Sequence, residues 1–176
     1  IIKPQDFVGK KIGLEKGSNS SYLYKAMMSN LQINRDDMKE IEIGYGIDEI
    51  LLGIVDVSTG YIINEPNLAE ESGKEVNVIM MSDYGVRLYG DVIFTKEDLI
   101  KNNPELVTRF LRATLDGWQY AIENQKEASE IVMKYSKDST FEHQYNMLKD
   151  SIPLINDGIS FLGWMDKDQW QRSYDI

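Results

Sequence analysis

The sequence KKIGLEKGSNSSYLYKAMM, which occupies residues 10–28, indicates a strand, a turn and a helix in immediate succession. The run that ends at Glu15 has the length and apolar content of a buried strand. The turn from Lys16 to Ser21 is rich in helix-capping side chains, and Tyr22–Met28 places apolar residues at helical spacing. A strand followed directly by a helix is typical of a parallel sheet with helices packed on it.

The same alternation continues to about residue 82 and then gives way to helices. Further strands are predicted at residues 39–43, 54–58, 76–81 and 91–95. Further helices are predicted at residues 47–52, 64–72, 96–101, 104–122, 126–135, 141–152 and 166–174, with Gly73 ending the second of these. We therefore predict an α/β fold with a parallel-rich sheet and flanking helices, followed by a mostly helical segment.

Composition excludes several classes of function. The chain has 176 residues, 29 acidic and 19 basic, and a net charge of −10. Such a surface repels phosphate backbones, so we expect no nucleic-acid partner. Cysteine is absent, which removes disulfides, thiolate metal sites and cysteine nucleophiles. The single histidine, His143, cannot build a metal site alone and is predicted to lie on a helix surface; no metal site or catalytic residue is predicted.

The stretch GYIINEP at Gly60–Pro66 is the strongest candidate for binding. It follows a predicted buried strand, and it brings a flat ring, an amide and a carboxylate to one place. These groups recognise a ligand rather than transform it. The alternative is a strand end and a helix start, in which Asn64 caps the helix and Pro66 lies in its first turn.

Several stretches, taken in chain order, resemble the type II periplasmic solute-binding proteins. Within that fold they are similar to an NMT/THI-like branch that binds thiamine pyrimidine precursors and is grouped with the alkanesulfonate-binding proteins. The stretches are residues 4–18, 53–56, 60–66, 83–85, 103–121 and 163–170.

The resemblance implies an organisation in two lobes. Residues 1–83 would form the second lobe, and residues 84–176 the hinge and the mostly helical part of an incomplete first lobe. Closure about residues 83–85 would trap a ligand between the lobes. An incomplete first lobe would leave the apolar stripe on residues 104–122 without part of its packing partner, so we expect an exposed apolar patch and self-association.

The residues expected to bind the ligand are Ser18, Asn19, Tyr61, Asn64, Glu65 and Tyr84. The carboxylate of Glu65 can accept two parallel hydrogen bonds from the N–C–N edge of an aminopyrimidine, and Tyr61 or Tyr84 can stack on the ring. The turn at Ser18 offers hydroxyl and N–H groups at a helix N-terminus, although simple capping is the alternative. A carboxylate in the site disfavours a sulfonate, because burying two negative charges together is costly.

The expected function is an extracytoplasmic domain that binds a small planar nitrogen heterocycle and delivers it to the permease of an ABC importer. The alternative is the ligand-sensing input domain of a membrane-bound histidine kinase or diguanylate cyclase. A eukaryotic branch of the same family is an enzyme with a cysteine cluster before the strand equivalent to Val92–Thr95. This chain has no cysteine there, so we expect no enzymatic activity and no cofactor.

Overall fold

A computed structural model describes residues 1–156, 158 and 160–175. The chain divides into two compact units. The first comprises Ile1–Leu88 together with the segment that begins at Asp168, and the second comprises Tyr89–Lys167. The three strands that the described residues form all lie in the first unit.

These strands build one parallel sheet. They are β1 (Lys11–Glu15), β2 (Lys39–Ile43) and β3 (Val57–Ser58), and their order is β2-β1-β3. Glu15 pairs with Ile43, and Gly13 pairs with both Ile41 and Ser58. The central strand is buried from Ile12 to Glu15, as expected for a parallel strand covered on both faces. The predicted α/β class with a parallel sheet is confirmed.

Helix α1 (Asn19–Asn30) follows β1 and packs against it through the predicted apolar stripe. Tyr24, Met27 and Met28 are at most 2% exposed and form a core with Ile12 and Leu14 of β1. Alternate strand residues point to opposite faces, so Ile12 and Leu14 lie on the α1 face while Gly13 and Glu15 lie on the other. A Cβ on Gly13 would lie 2.8 Å from Ile43 Cδ1, which explains the glycine.

Two shorter helices complete the alternating part, α2 (Asp48–Leu51) and α3 (Glu65–Glu71). Gly73 ends α3 as predicted, with φ of +69°. Its N–H donates to Glu70 O at 2.8 Å and that of Lys74 to Ala69 O at 2.9 Å, the paired bonds of a Schellman motif. Short 3₁₀ segments lie at Pro4–Phe7, Arg35–Asp37 and Met81–Tyr84.

The second unit contains α4 (Glu97–Asn102), α5 (Pro104–Glu123), α6 (Gln125–Met133) and α7 (Phe141–Ile155). Helix α8 (Lys167–Asp175) follows. None of the residues of α5 is buried. Its large apolar side chains are exposed to the extent of 41–60%, namely Leu106, Phe110, Leu111 and Trp118. These exposures agree with the expected apolar patch on α5, whereas its extent and self-association through it stay predictions.

Two predicted strands are wrong. Residues 76–81 and 91–95 contain no strand, and 81 begins a 3₁₀ turn. Both segments have the β-branched and aromatic composition of strands, but neither has a neighbouring strand among the described residues to complete its hydrogen bonds. Phe94 is 87% exposed and Val78 is 47% exposed. Ile79 and Met81 do pack against the core cluster, but this contact alone does not make a strand without a partner to pair with.

The prediction that His143 lies on the surface is also wrong. His143 is in the first turn of α7 but is only 6% exposed. Helix α7 packs against α6, and its first turn is part of the packed second unit. A buried polar side chain in a helix pair is a structural feature, and the geometry gives His143 no evident chemical task.

Candidate functional site

The candidate site lies at the carboxyl edge of the sheet, where the three parallel strands end. The chain leaves β1 towards β2 on one side and later returns to β3 on the other. In such sheets a crevice opens outside the strand ends at the point where the strand order reverses, and ligands bind there. In this chain that point lies between the ends of β1 and β3, at Glu15 and Thr59.

The turn after β1 is held by hydroxyl groups. Ser18 is the N-cap of α1 and its Oγ accepts from the N–H of Ser21 at 3.2 Å. Ser18 Oγ and Ser21 Oγ also lie 3.1 and 2.8 Å from the carbonyl oxygen of Glu15, to which each donates. The capping role left open for this turn is confirmed. Asn19 is exposed on the first turn of α1.

The loop after β3 is organised by Glu65, the first residue of α3. Its Oε2 accepts from the backbone N–H of Tyr61 at 2.6 Å, and its Oε1 accepts from Asn64 Nδ2 at 2.6 Å. Gly60 is required by this arrangement, because a Cβ there would lie 2.7 Å from Glu65 Oε2 and 2.9 Å from Cδ. Pro66 lies in the first turn as the alternative interpretation held, but Asn64 makes no side-chain capping bond.

The two tyrosines predicted to stack on a ligand lie in different places. Tyr61 is in the loop after β3 and is half exposed. Tyr84 packs against the core cluster under α1, and the adjacent Gly85 would place a Cβ 3.8 Å from Asn30 Nδ2. Asn30 ends α1, whose length at 1.5 Å per residue separates it from Ser18 by about 18 Å. The structure thus brings Ser18, Tyr61, Asn64 and Glu65 to the carboxyl edge and places Tyr84 at the other end of α1.

Glu15 was not predicted from the sequence, and it is the most unusual side chain at this edge. It is only 2% exposed, and its Oε2 has no hydrogen-bond partner among the described residues. Burial raises the pKa of this carboxyl, and the negative charge of Glu65 raises it further. Thr59 Oγ1, at the end of β3, is likewise buried without a partner. The edge therefore holds two orphaned polar atoms beside Glu65.

Tyr45 is a second exposed ring at the same edge. It follows β2 in the Gly44-Tyr45-Gly46 turn and is 86% exposed. Tyr45 was not predicted as a site residue. Its position directly after a predicted strand could have indicated it, because loops at that edge carry ligand contacts.

A cleft of about 260 Å³ lies at the ends of β1 and β2 beside the first turn of α1, and Glu15, Gly17 and Ser21 are among its lining residues. Its charged lining comprises Glu15, Lys16, Lys25, Glu40 and Glu42, of which Lys16 Nζ and Glu42 Oε1 lie 3.4 Å apart. The cleft is smaller than the roughly 300 Å³ at which ligand pockets begin. The cleft adjoins the candidate site, because Glu15 belongs to both.

Comparison with known proteins agrees with this description. Residues 1–128 match the family model described as NMT1/THI5 like. The chain belongs to the NMT1/THI5-like family. The predicted family is thereby confirmed, and the matched residues include every element of the site at the carboxyl edge.

Three relatives of this NMT1/THI5-like chain carry names that bear on function. It is 29% identical over 181 residues to the riboflavin-binding protein RibY of Chloroflexus aurantiacus, covering 98% of the chain and 51% of the relative. It is 22% identical over 176 residues to the formylaminopyrimidine-binding protein of Halalkalibacterium halodurans, covering 96% and 53%. It is 28% identical over 132 residues to the 4-amino-5-hydroxymethyl-2-methylpyrimidine phosphate synthase of Legionella pneumophila, covering 73% and 42%.

The NMT1/THI5-like chain spans about half the length of the curated relatives it matches. Two of these relatives are named as binding proteins and one as a synthase. Among the described residues, no group of three His, Asp or Glu side chains is arranged to hold a metal ion. No helix in the described part of the chain has both the length and the apolar character needed to span a membrane.

Proposed function

We propose that this chain is the ligand-binding part of an extracytoplasmic solute-binding protein that recognises a small planar nitrogen heterocycle, similar to a thiamine pyrimidine precursor, for ABC import. The observation that carries the proposal is the Tyr61–Glu65 loop, whose carboxylate and phenol lie at the switch point of a parallel sheet. The proposal includes the assignment of residues 1–83 to the second lobe and of residues 84–176 to the hinge and first lobe.

The chemistry of Glu65 suits an amino-substituted ring. Each carboxylate oxygen can accept two hydrogen bonds, and in this structure each accepts one from its own loop. The remaining lone pairs can accept from the N–H groups of a heterocycle. Tyr61, half exposed in the same loop, supplies a flat face for the ring.

The charge of the edge selects against anions. The negative charge of Glu65 acts on Glu15, and neither carboxyl group forms an ion pair with a Lys or Arg among the described residues. A sulfonate would add a third negative charge to the same place. A neutral or cationic ring is therefore the favoured class, in keeping with the riboflavin-binding and formylaminopyrimidine-binding names of two relatives.

Isothermal titration of the full-length protein with formylaminopyrimidine, riboflavin and taurine tests the proposal. We expect one of the two heterocycles to bind and taurine to fail. Glu65→Gln should weaken binding about tenfold or more, because the amide offers one acceptor oxygen in place of two. Unchanged affinity in that variant would remove Glu65 from the site.

Glu49→Gln is the matched control. Glu49 is also half-buried and also accepts from a backbone N–H, since its Oε1 lies 3.3 Å from Gly44 N. It belongs to the β2 side of the edge rather than to the β1–β3 switch point. Its substitution should leave heterocycle affinity within about twofold of the wild-type value if the ligand lies at the switch point.

The Legionella relative favours a second candidate, synthesis of a pyrimidine phosphate. Mass spectrometry of the purified protein incubated with pyridoxal phosphate, the co-reactant of the eukaryotic branch, would detect such a product. We expect none from this chain, which lacks cysteine and whose single histidine is buried in α7. A pyrimidine product whose formation depends on His143 would replace the binding proposal.

A further inference from the structure

The strongest unexplained feature of the molecule is the carboxyl group of Glu15. The residue is only 2% exposed, yet its Oε2 has no hydrogen-bond partner among the described residues. A buried polar group left without a partner destabilises the fold. An apolar residue of similar size at the end of β1 would avoid that destabilisation, so the stability of the sheet does not account for a glutamate there.

The groups around Glu15 do not neutralise it. Strand β2 offers Ile43 opposite it, and β3 ends beside it at Thr59, whose buried Oγ1 also lacks a partner. The α1 turn offers Ser18 and Ser21, whose hydroxyls bond the backbone carbonyl of Glu15. From α3 the facing charge is the carboxylate of Glu65.

The charged residues nearest in sequence are engaged on the surface. Lys16 is 79% exposed at its side chain and pairs with Glu42 at 3.4 Å. No Lys or Arg among the described residues forms an ion pair with Glu15. Lys16 and Lys25 line the same cleft as Glu15, but neither forms an ion pair with it. A buried carboxyl that faces another carboxylate and lacks an ion pair favours its neutral form.

We propose that Glu15 is a second ligand-contacting residue of this site, and that its protonated carboxyl group donates a hydrogen bond to an acceptor atom of the bound heterocycle. This inference rests on the proposed function. It assigns opposite hydrogen-bonding roles to the two carboxyl groups at the carboxyl edge. Glu65, whose carboxylate is fixed by bonds from Tyr61 N and Asn64 Nδ2, accepts from the ligand, whereas Glu15 donates to it.

These opposite roles of Glu15 and Glu65 narrow the class of ligand. Glu65 as a carboxylate acceptor and Glu15 as a carboxyl donor together match a particular kind of ring edge. Such an edge presents an N–H donor next to a ring nitrogen or a carbonyl acceptor. Amino-substituted pyrimidines and cyclic imides such as the flavin ring present such an edge. A ring edge with donors alone would leave the Glu15 proton without an acceptor, and a fully anionic group would face two carboxyls.

The experiment measures dissociation constants of the full-length protein between pH 5 and pH 9, with formylaminopyrimidine by calorimetry and riboflavin by fluorescence quenching. The proteins are wild type, Glu15→Gln, Glu15→Leu and Glu49→Gln. Glu15→Leu should weaken binding about tenfold, which corresponds to one lost hydrogen bond. Glu15→Gln, which keeps an N–H donor at every pH, should bind within about threefold of wild type.

The pH profile separates a ligand contact from a structural role. Because the donor is present only below the pKa of Glu15, which burial raises, wild-type affinity should fall as the pH rises through that pKa. The affinity of Glu15→Gln should not follow this fall, and any change that remains in this variant reports titration of the probe. Glu49→Gln should reproduce the wild-type profile.

Unfolding of the unliganded proteins gives a second measurement. A raised carboxyl pKa contributes stability that is fully present below the unfolded value and is lost as the pH rises through the folded value. Glu15→Gln should therefore melt at a higher temperature than wild type at pH 8 and at a similar temperature at pH 4. This comparison also shows that the variant folds.

Each outcome decides between the two proposals. If wild type binds neither probe, the proposed function fails and this inference fails with it. If wild type binds a probe while Glu15→Leu binds equally well, only the inference is overturned. If Glu15→Leu does not fold, identical pH profiles for wild type and Glu15→Gln overturn it instead.

Discussion

Substitution of Gly60 by alanine should destabilise the protein only while Glu65 is present. Gly60 does not have a positive φ, so its backbone accepts a side chain. An alanine Cβ would nevertheless lie 2.7 Å from Glu65 Oε2, 2.9 Å from Cδ and 2.9 Å from Cγ. Contact with Cγ means that the whole side chain must rotate, which breaks the bond from Tyr61 N to Oε2.

The magnitude follows from two opposing contributions. A hydrogen bond to a charged acceptor contributes about 1.5–3 kcal/mol, and less at a partly exposed site. Replacing glycine with alanine stabilises by about 0.4–1 kcal/mol through the unfolded chain where the backbone permits it. Gly60→Ala should therefore lower the free energy of unfolding by about 1 kcal/mol in the wild-type background and raise it slightly in a Glu65→Ala background.

The assay is a double-mutant cycle by urea unfolding at neutral pH, followed by circular dichroism, with hydrogen exchange of the Tyr61 amide as the local readout. We expect a coupling of about 1.5 kcal/mol between the two positions. Gly90→Ala is the control, since its Cβ would meet no atom within 4 Å. An equal loss from Gly60→Ala in both backgrounds would refute the role assigned to the Glu65 side chain.

Three further substitutions test the fold. Gly13→Ala should cost about 1–3 kcal/mol, because its Cβ would lie 2.8 Å from Ile43 Cδ1, and Ile43→Val should recover part of the loss in thermal unfolding. Arg35→Lys should cost about 0.5–1 kcal/mol by losing the paired bonds of 2.7 and 2.6 Å to Glu40. Since Arg35 lowers the pKa of Glu40, that stabilisation is present above the unfolded carboxyl pKa and is lost as the pH falls through the folded one, so the two melting curves should converge in acid. Thr140→Ala removes the cap of α7 and should cost about 1 kcal/mol in urea unfolding, whereas Thr140→Ser should not.

The elements with strong local signals could be predicted from the sequence. Strands β1 and β2, helix α1 and the Gly73 stop all combine a hydrophobic period with a suitable cap or turn residue. The segments 76–81 and 91–95 carry an equally strong strand composition. They fail because a strand is completed by its neighbour, and the presence of a neighbour is a long-range fact that composition does not contain.

Only the part of the candidate site that depends on local signals could be predicted from the sequence. The Ser18 turn and Glu65 follow predicted strands directly, so their positions come from the order of elements. Tyr84 was grouped with them because the Asp83-Tyr84-Gly85 motif resembles the same family. In the structure it lies near the end of α1 that is opposite Ser18.

Glu15 was missed because a glutamate at the end of a strand is usually exposed. The signal that could have revealed it is the central place of β1, because a strand with a neighbour on each side and residues buried from Ile12 onwards buries even its last residue.

The bonds that Glu65 makes within its own loop bear on the speed and cost of recognition. Tyr61 N and Asn64 Nδ2 both donate to the Glu65 carboxylate within the loop, so under the proposed function a solute would meet a surface whose shape the loop itself fixes. Little conformational entropy is then lost on this side of the contact. Differences in affinity among related rings should accordingly appear in the dissociation rate constant rather than in the association rate constant.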